Sequence, residues 1–128
     1  MSEGESEDQN FIDGWPMSTP LDVRMGLTRE EGINHPLRWG IISASAIASD
    51  WIKSLQDVPG ASTVAIAASD LDRAKAYADA HGIEKAYDDY SALCRDPDVD
   101  IVYIASKTWN HHRDLMTAIE AGKHVLCE

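Results

Sequence analysis

Short apolar runs alternate with segments of helical periodicity over residues 37–128. Small and β-branched residues dominate the runs, which indicates strands that are covered on both faces of a sheet. We predict five strands, at 37–43, 62–68, 85–87, 100–105 and 124–127. The connections are short, and crossovers between parallel strands are right-handed. The pattern therefore predicts an α/β fold with an open, doubly wound and mostly parallel sheet.

The segments between the strands carry helix signals. Apolar side chains recur there at helical spacing, so we expect one face of each helix to pack on the sheet. The predicted inward positions are Ile47, Trp51, Ile52 and Leu55 in the first helix, Leu71, Ala74, Tyr77 and Ala78 in the second, Tyr90, Leu93 and Cys94 in the third, and Leu115, Ala118 and Ile119 in the fourth. The expected N-caps are Ser69 or Asp70, Asp88 or Asp89, and Asn110.

Residues 1–36 differ from the rest of the chain in composition. They hold eight acidic residues against Arg24 and Arg29, and three of the five prolines. They show no convincing periodicity, so we predict a mostly disordered acidic extension, followed by a single domain at residues 37–128. An apolar cluster within the extension either docks on a surface or is incidental to an unbound tail; it consists of Phe11, Ile12, Trp15 and Met17.

Charge and cysteine content narrow the class of protein. The formal net charge of −11 argues against nucleic acid or an anionic membrane as a main partner, since either requires a basic patch. No run approaches the ~20 apolar residues of a membrane span, and the acidic N-terminus lacks the features of a secretory signal. Cys94 and Cys127 are expected to be buried free thiols. Together these features predict a cytoplasmic protein.

Four segments are marked as candidate binding regions by the fold alone. Ligands of doubly wound sheets bind outside the carboxyl ends of the strands, where the strand order reverses. The segments at those ends are 43–47, 68–70, 105–110 and Glu128. Any chemistry of the domain is therefore expected there.

The turn after the first strand is the most informative of these segments. Rossmann-like dinucleotide-binding folds usually carry Gly-x-Gly-x-x-Gly or Gly-x-Gly-x-x-Ala here, and the glycines admit the pyrophosphate. This chain has Ser-Ala-Ser-Ala-Ile-Ala at 43–48, and only Ala48 fits the pattern. Small residues keep the turn feasible and two hydroxyls can bond phosphate, but the Cβ atom of Ser45 intrudes on the pyrophosphate position. A strand-to-helix turn without a ligand is the alternative.

The residues after the second strand do not decide between NAD and NADP. An acidic residue there binds the ribose hydroxyls of NAD, whereas an arginine favours the 2′-phosphate of NADP. Asp70 is as good a helix cap as a ribose ligand. Ser69 can hydrogen-bond a 2′-phosphate, but no arginine adjoins it, and we expect Arg73 to lie too far along the helix.

A tryptophan and two histidines follow the fourth strand. Trp109 and His111 are candidates for cofactor or substrate contacts, although first-turn packing or capping explains His111 equally well. His111 and His112 point about 100° apart on a helix, so they cannot easily share a metal ion. We therefore predict no metal site. No serine sits in a nucleophile elbow, which argues against Ser-His-Asp catalysis.

Four segments resemble the N-terminal domain of the glucose-fructose oxidoreductase and inositol dehydrogenase (Gfo/Idh/MocA) family. They are LRWGIIS at 37–43, DLDRA at 70–74, DVDIVYIAS at 98–106 and AGKHVLCE at 121–128. The similarity is greatest to the dihydrodiol dehydrogenase and xylose dehydrogenase branch. The last segment is highly specific, because the family typically continues it as Glu-Lys-Pro, in which the lysine is catalytic.

The resemblance implies a domain that binds NAD or NADP. It implies pyrophosphate binding by Ser43, Ala44, Ser45, Ala46 and Ile47, adenosine-ribose selection by Ser69 and Asp70, and nicotinamide contacts from Ala105, Ser106, Trp109, His111 and Glu128. This chain departs from the family at three places: serine stands at both early glycine positions, Lys107-Thr108 replaces Pro-Asn, and Ser69 replaces the arginine of NADP-binding relatives.

The resemblance also implies an activity for a complete relative. That activity is hydride transfer between the nicotinamide and a CH–OH carbon of a sugar, polyol or dihydrodiol. Because the catalytic lysine and the substrate domain would follow Glu128, we expect a truncated chain with no catalytic residue of its own, inactive by itself. Full-length relatives are expected to be homo-oligomers. The alternative is a non-catalytic binding or regulatory module with a degenerate phosphate turn.

Overall fold

The computed structural model describes residues 36–128, together with the backbone of strands β1 (Phe11–Ile12) and β2 (Trp15–Pro16). These two strands pair antiparallel, with Phe11 opposite Pro16 and Ile12 opposite Trp15. The disorder predicted over residues 1–36 and the docking predicted for the apolar cluster fall on residues or side chains outside this description. Both stay predictions.

Residues 36–128 belong to one unit in which strands and helices alternate. The elements are β3 (Leu37–Ile42), α1 (Ala46–Leu55), β4 (Ala61–Ala67), α2 (Leu71–His81), β5 (Lys85–Tyr87), α3 (Tyr90–Cys94), β6 (Ile101–Ile104), a 3-10 turn (Thr108–Asn110), α4 (His111–Glu120) and β7 (His124–Cys127). Each strand and helix predicted from the sequence is present, and the strand ends differ from the prediction by one residue at most.

The five strands of this unit form one sheet in the order β5-β4-β3-β6-β7, and every neighbouring pair is parallel. This confirms the predicted doubly wound α/β fold. From β3 the chain first moves outward through β4 to β5, and it then crosses to β6 on the other side of β3. The order thus reverses between β3 and β6, so a ligand is expected at the carboxyl ends of these two strands.

Apolar side chains fill both faces of the sheet. One cluster, around Ile41 and Ile52, is covered by α1 and α2, and the other, around Leu93, is covered by α3 and α4. Gly40 permits the second packing arrangement, because a Cβ atom there would lie 2.8 Å from Leu93 Cδ2 and 2.9 Å from Val99 Cγ1. Glycine in the central strand therefore lets α3 and the segment after it approach closely.

Three predicted inward positions are wrong. Ile47, Leu71 and Ile119 are 44%, 37% and 51% exposed, respectively. Ile47 and Leu71 lie in the first turns of α1 and α2, which begin past the ends of β3 and β4 and have no sheet to pack on. Ala118 takes the sheet-facing position in α4, so Ile119 points about 100° away from it. The other predicted inward positions are buried or partly buried.

Two predicted N-caps are confirmed and one is wrong. Asp70 Oδ1 accepts hydrogen bonds from the amides of Asp72 (2.7 Å) and Arg73 (3.2 Å), and Asp89 Oδ1 caps α3 by accepting from the Ser91 amide (3.0 Å). Asn110 makes no side-chain capping bond. Its backbone is already helical (φ −97°, ψ −9°), because the 3-10 turn leads directly into α4.

The two cysteines differ in burial. Cys94 is buried as predicted, and burial raises the pKa of its thiol to about 11. Cys127 is exposed, which corrects the prediction of a second buried thiol. The reason is its place in β7, an edge strand that is paired on one side only. In the described part of the chain, no helix is long and apolar enough to span a membrane.

Candidate functional site

Ser43 gives the first turn the backbone geometry of a glycine turn. Its φ is 85°, and it is the single non-glycine residue with positive φ among residues 36–128. Its amide donates to Ala67 O (2.9 Å), and its carbonyl accepts from the amide of Ser45 (3.0 Å). This conformation favours glycine, because a Cβ atom is crowded there. The turn thus forms at the first glycine position of the dinucleotide pattern without a glycine.

The start of α1 offers backbone donors beside that turn. Ser45 is the N-cap, and its Oγ accepts a hydrogen bond from the Ala48 amide (3.3 Å). Ala46 and Ile47 follow as exposed residues of the first helical turn. The first amides of a helix have no intrahelical acceptor, and the helix dipole favours an anion there. The backbone of Ala46 and Ile47 therefore fits a phosphate group.

Helix α2 holds the turn in place through two side chains. Arg73 Nη2 donates to Ala44 O (2.8 Å), and the Tyr77 hydroxyl donates to Ser45 O (2.9 Å). Burial raises the pKa of Tyr77. From the sequence, Arg73 was expected to lie too far along the helix to reach the 2′-phosphate, and Tyr77 was expected in the core; in the structure Arg73 lines the same cleft as Ser69. The i, i+4 spacing of Arg73 and Tyr77 on one helix face was the available signal for a shared role.

Two predicted ribose ligands follow β4. The Ser69 side chain is exposed and lies beside Asp70, whose Oδ1 accepts the two first-turn amides of α2. Asp70 is therefore a helix cap in this structure. Its capping bonds take up Oδ1 and leave Oδ2 as the remaining acceptor of the carboxylate.

The segment after β6 is fixed by hydrogen bonds to α4. Ala105 is buried, and its amide donates to Ile42 O (3.0 Å). His111 Nε2 donates to Ser106 O (2.7 Å), and the Ser106 hydroxyl donates to Asp114 Oδ2 (2.5 Å). His111 thus braces the backbone at the carboxyl end of β6. Asp114 was missed by the sequence analysis because a charged residue in a helix usually faces solvent.

The Trp109 side chain is largely exposed to solvent at the same end of the sheet. It is 75% exposed, and Lys107 Nζ lies 5.2 Å from the centre of its ring. That distance allows a cation–π contact. The pair presents a large aromatic face and a positive charge next to each other.

An open cleft of about 690 Å³ gathers residues from the carboxyl ends of several strands. The predicted site residues that line it are Ser43, Ser69, Ser106 and Trp109. The predicted residues that do not line it are Ala44, Ser45, Ala46, Ile47, Asp70, Ala105, His111 and Glu128. Three cationic side chains that the sequence analysis did not assign to the site also line the cleft: Arg73, Lys107 and Arg113.

Glu128 is engaged by a tyrosine of the neighbouring strand. The Tyr103 hydroxyl donates a short hydrogen bond to Glu128 Oε2, and the Glu128 amide donates to Ile104 O (3.0 Å). Burial, and then the bond to Glu128, raise the pKa of Tyr103. Trp51 stacks on Tyr103 with 4.8 Å between ring centres. The Glu128 carboxylate is thereby tied to the α1 face of the sheet.

A family model described as "Oxidoreductase family, NAD-binding Rossmann fold" matches residues 37–128. Trans-1,2-dihydrobenzene-1,2-diol dehydrogenases from Bos taurus and Homo sapiens are each 46% identical to this chain over 94 residues. That match covers 72% of this chain and 28% of each enzyme. The chain therefore spans somewhat more than a quarter of the length of these curated relatives.

Solved structures of oxidoreductases share the fold. An NAD-binding oxidoreductase from Klebsiella pneumoniae is 34% identical with a TM-score of 0.67, and the match covers 71% of this chain and 26% of that one. A mutant 3-ketoreductase from Actinomadura kijaniata, in complex with TDP-benzene and NADP, is 35% identical with a TM-score of 0.68, covering 73% and 30%. Together with the strand order and the glycine-like turn at Ser43, these matches place the chain in the Gfo/Idh/MocA oxidoreductase family, with residues 37–128 as its NAD-binding Rossmann domain.

Proposed function

We propose that residues 37–128 bind a nicotinamide dinucleotide across the carboxyl ends of β3, β4 and β6. One observation carries the proposal. The cleft brings Ser43, Ser69 and Ser106 together from the ends of these three strands, at the point where the strand order reverses. Dinucleotides bind Rossmann-like sheets at that point.

Each part of the dinucleotide is assigned to one of the described segments. The pyrophosphate lies against the turn of Ser43, Ala44 and Ser45 and the exposed first-turn amides of Ala46 and Ile47. The adenosine ribose lies at Ser69 and Asp70. The nicotinamide side is assigned to the residues that follow β6 and β7, namely Ala105, Ser106, Trp109, His111 and Glu128.

In the whole protein, this domain presents the cofactor to a substrate with an oxidisable CH–OH group. The nicotinamide accepts or supplies the hydride when bound. The trans-1,2-dihydrobenzene-1,2-diol dehydrogenases among the relatives support a dihydrodiol as substrate. A sugar or polyol is supported by the family resemblance alone. Since the chain spans 28% of the length of these dehydrogenases, we assign substrate binding to the remainder of such proteins. A polypeptide of these 128 residues is expected to give no turnover with sugars or dihydrodiols. A homo-oligomeric full-length protein and a cytoplasmic location are further proposals, which sedimentation and cell fractionation test.

The binding proposal is tested by calorimetric titration of the 128-residue chain with NAD⁺, NADH, NADP⁺ and NADPH. We expect micromolar binding of at least one of them. Ala46→Glu should abolish binding, because it places a carboxylate at the phosphate position, while an acid in the first turn does not destabilise the helix. Ala76→Glu, at an exposed position within α2, is the matched control and should bind as the parent does.

The rival proposal is a binding or regulatory module without a cofactor. It is favoured by Ser45, whose side chain occupies the second glycine position and already accepts the Ala48 amide. A folded chain that binds none of the four dinucleotides at about 1 mM would support this rival and contradict our proposal. Circular dichroism of the same sample establishes that it is folded.

A further inference from the structure

A buried carboxylate without a role in the phosphate turn lies beneath the cleft. Asp114 is 1% exposed, and it belongs to the first turn of α4. Its Oδ2 accepts the Ser106 hydroxyl at 2.5 Å, and its Oδ1 accepts Arg113 Nε at 3.0 Å. A buried carboxylate is costly unless such bonds satisfy it. Asp114 thus fixes the orientation of two side chains that line the cleft.

Arg113 keeps most of its donors available for a ligand. Its side chain is 63% exposed and lines the cleft, and Asp114 holds it through Nε. Within residues 36–128, neither Nη group of Arg113 donates a hydrogen bond. A guanidinium carries five N–H donors in a planar fork that matches phosphate geometry. The Nη edge is therefore positioned for a phosphate while the Nε edge is anchored.

We propose that Arg113, oriented by Asp114, binds the 2′-phosphate of the adenosine ribose and gives the domain a preference for NADP(H) over NAD(H). The inference rests on the proposed dinucleotide site. It makes Arg113 a specificity-determining residue and Asp114 a positioning residue.

The choice of the 2′-phosphate follows from the residues that share the cleft with Arg113. Ser69, which follows the second strand of the Rossmann unit, lines the cleft, whereas the turn residues Ala44–Ile47 do not. Residues after that strand contact the adenosine ribose, and the turn contacts the pyrophosphate. The cleft thus includes the ribose side of the site at Ser69, next to the residues after β6 that also line it, and an arginine from α4 lines it as well.

Arg113 shares the cleft with two other cationic side chains, Arg73 and Lys107. Asp70, the carboxylate that could bind a free 2′-hydroxyl, caps α2 through Oδ1 and keeps Oδ2 as an acceptor, but it does not line the cleft. Arg73 Nη2 is bound to Ala44 O and holds the turn, while within residues 36–128 its Nε and Nη1 donate no hydrogen bond and are left as a second set of donors for the same phosphate. Asp88 and Asp89 line the cleft as well. Because these acids offset the general attraction of the cleft for anions, a phosphate needs directed donors such as Arg113.

The test is calorimetric titration of the full 128-residue chain and its variants with NADP⁺ and NAD⁺. The parent chain should bind NADP⁺ at least about tenfold more tightly than NAD⁺. Arg113→Gln should weaken NADP⁺ binding by about 10- to 100-fold and change NAD⁺ binding by less than about twofold. Arg113→Lys should recover part of the loss, since lysine keeps the charge but not the fork.

Two further variants separate positioning from charge. Asp114→Asn should lower the NADP⁺ to NAD⁺ affinity ratio, because an amide cannot accept from both Ser106 and Arg113 in the same way. Lys75→Gln, which removes a positive charge from an exposed position on α2, should leave both affinities unchanged.

The outcomes distinguish this inference from the proposed function. If the parent chain binds neither dinucleotide, the dinucleotide site itself is refuted. If it binds them but Arg113→Gln weakens both equally, or weakens neither, the site stands and the role of Arg113 is refuted. A parent chain that prefers NAD⁺ also refutes the role of Arg113. Arg113 is exposed, so its substitution tests binding without removing core packing.

Discussion

The two ends of the same sheet carry hollows of equal volume and different chemistry. One hollow of about 690 Å³ lies at the carboxyl ends of the strands and the other, of the same size, at the amino ends. At the amino end, charged side chains are paired with one another. At the carboxyl end, the Ser43 backbone is strained, Trp109 is largely exposed and Arg113 retains unpaired donors. The volume of a hollow therefore does not identify the binding site. What identifies it is whether its polar groups are left unpaired or are bonded to other residues of the protein.

The amino-end network comprises Arg38, Lys85, Asp96, Asp98, Asp100 and Lys123. Arg38 donates to both carboxylate oxygens of Asp100 at 3.0 Å, and these bonds lower the pKa of Asp100. Lys85 Nζ lies 3.0 Å from Asp96 Oδ2 and 2.7 Å from Asp98 Oδ2. Lys123 Nζ donates to two backbone carbonyls of the segment before β6. The charged groups of this network are therefore bonded to other residues of the same domain.

This contrast assigns different roles to the two ends. Paired charges and satisfied carbonyls hold the connections at the amino end in one arrangement. Strained backbone and exposed polar groups are instead typical of binding regions, where the stability cost is met elsewhere in the fold. We therefore expect substitutions at the amino end to change stability and those at the carboxyl end to change binding.

The largest effect is expected from Asp96→Ala at the amino end. Asp96 is 6% exposed and accepts hydrogen bonds from Lys85 Nζ and the Tyr87 hydroxyl, the latter at 2.7 Å. Its removal should lower the free energy of unfolding by about 3 kcal/mol, the lower end of the range for breaking a buried ion pair. Urea denaturation measures this change. The dinucleotide affinity of the folded protein should not change.

Asp79→Ala is the control for this substitution, because Asp79 is exposed on α2. We expect it to change the free energy of unfolding by less than about 0.5 kcal/mol. If Asp96→Ala changed the free energy of unfolding as little as Asp79→Ala does, or if it weakened dinucleotide binding, the division of roles between the two ends of the sheet would be wrong.

A smaller loss of stability is expected when the pH is lowered. Burial raises the pKa of Asp96, but bonds from Tyr87, the Asp98 amide and Lys85 outweigh it and lower the pKa from 3.8 to about 2. The stability from this lowered pKa is present above pH 3.8 and is lost as pH falls toward 2. It amounts to about 2 kcal/mol. Urea denaturation at pH 5 and pH 3 should show a decline that is shallower in Asp96→Asn, and equal slopes would argue against the network.

Sequence patterns located the elements but not the contacts between them. The apolar runs fixed the strand ends to within one residue, because a sheet covered on both faces demands such runs. The left-handed φ of Ser43 has no local signal, since serine does not favour it. The reach of Arg73 to Ala44 depends on the packing of α2 beside the turn. Asp114 was missed because its burial results from bonds to Ser106 and Arg113, which no spacing rule supplies.

The smallest predicted effect concerns Ser43 at the carboxyl end. Ser43→Gly should raise the free energy of unfolding by about 0.5–1 kcal/mol, because glycine adopts a φ of 85° without a Cβ clash, partly offset by its greater freedom when unfolded. Ser43→Ala keeps the Cβ atom and should give no gain. Thermal denaturation of both variants measures the difference. A stabilised Ser43→Ala would show that the hydroxyl, and not the backbone, causes the strain.

The central claim is that the carboxyl end of the sheet binds the dinucleotide and the amino end does not. Backbone amide chemical shifts of the ¹⁵N-labelled chain, recorded during titration with NADP⁺, test it most directly. We predict shifts at 43–47, Ser69, 106–110 and Arg113, and none at Arg38, 96–100 or Lys123. Shifts confined to the amino-end network, or a folded chain with no shifts at saturating cofactor, would contradict the account.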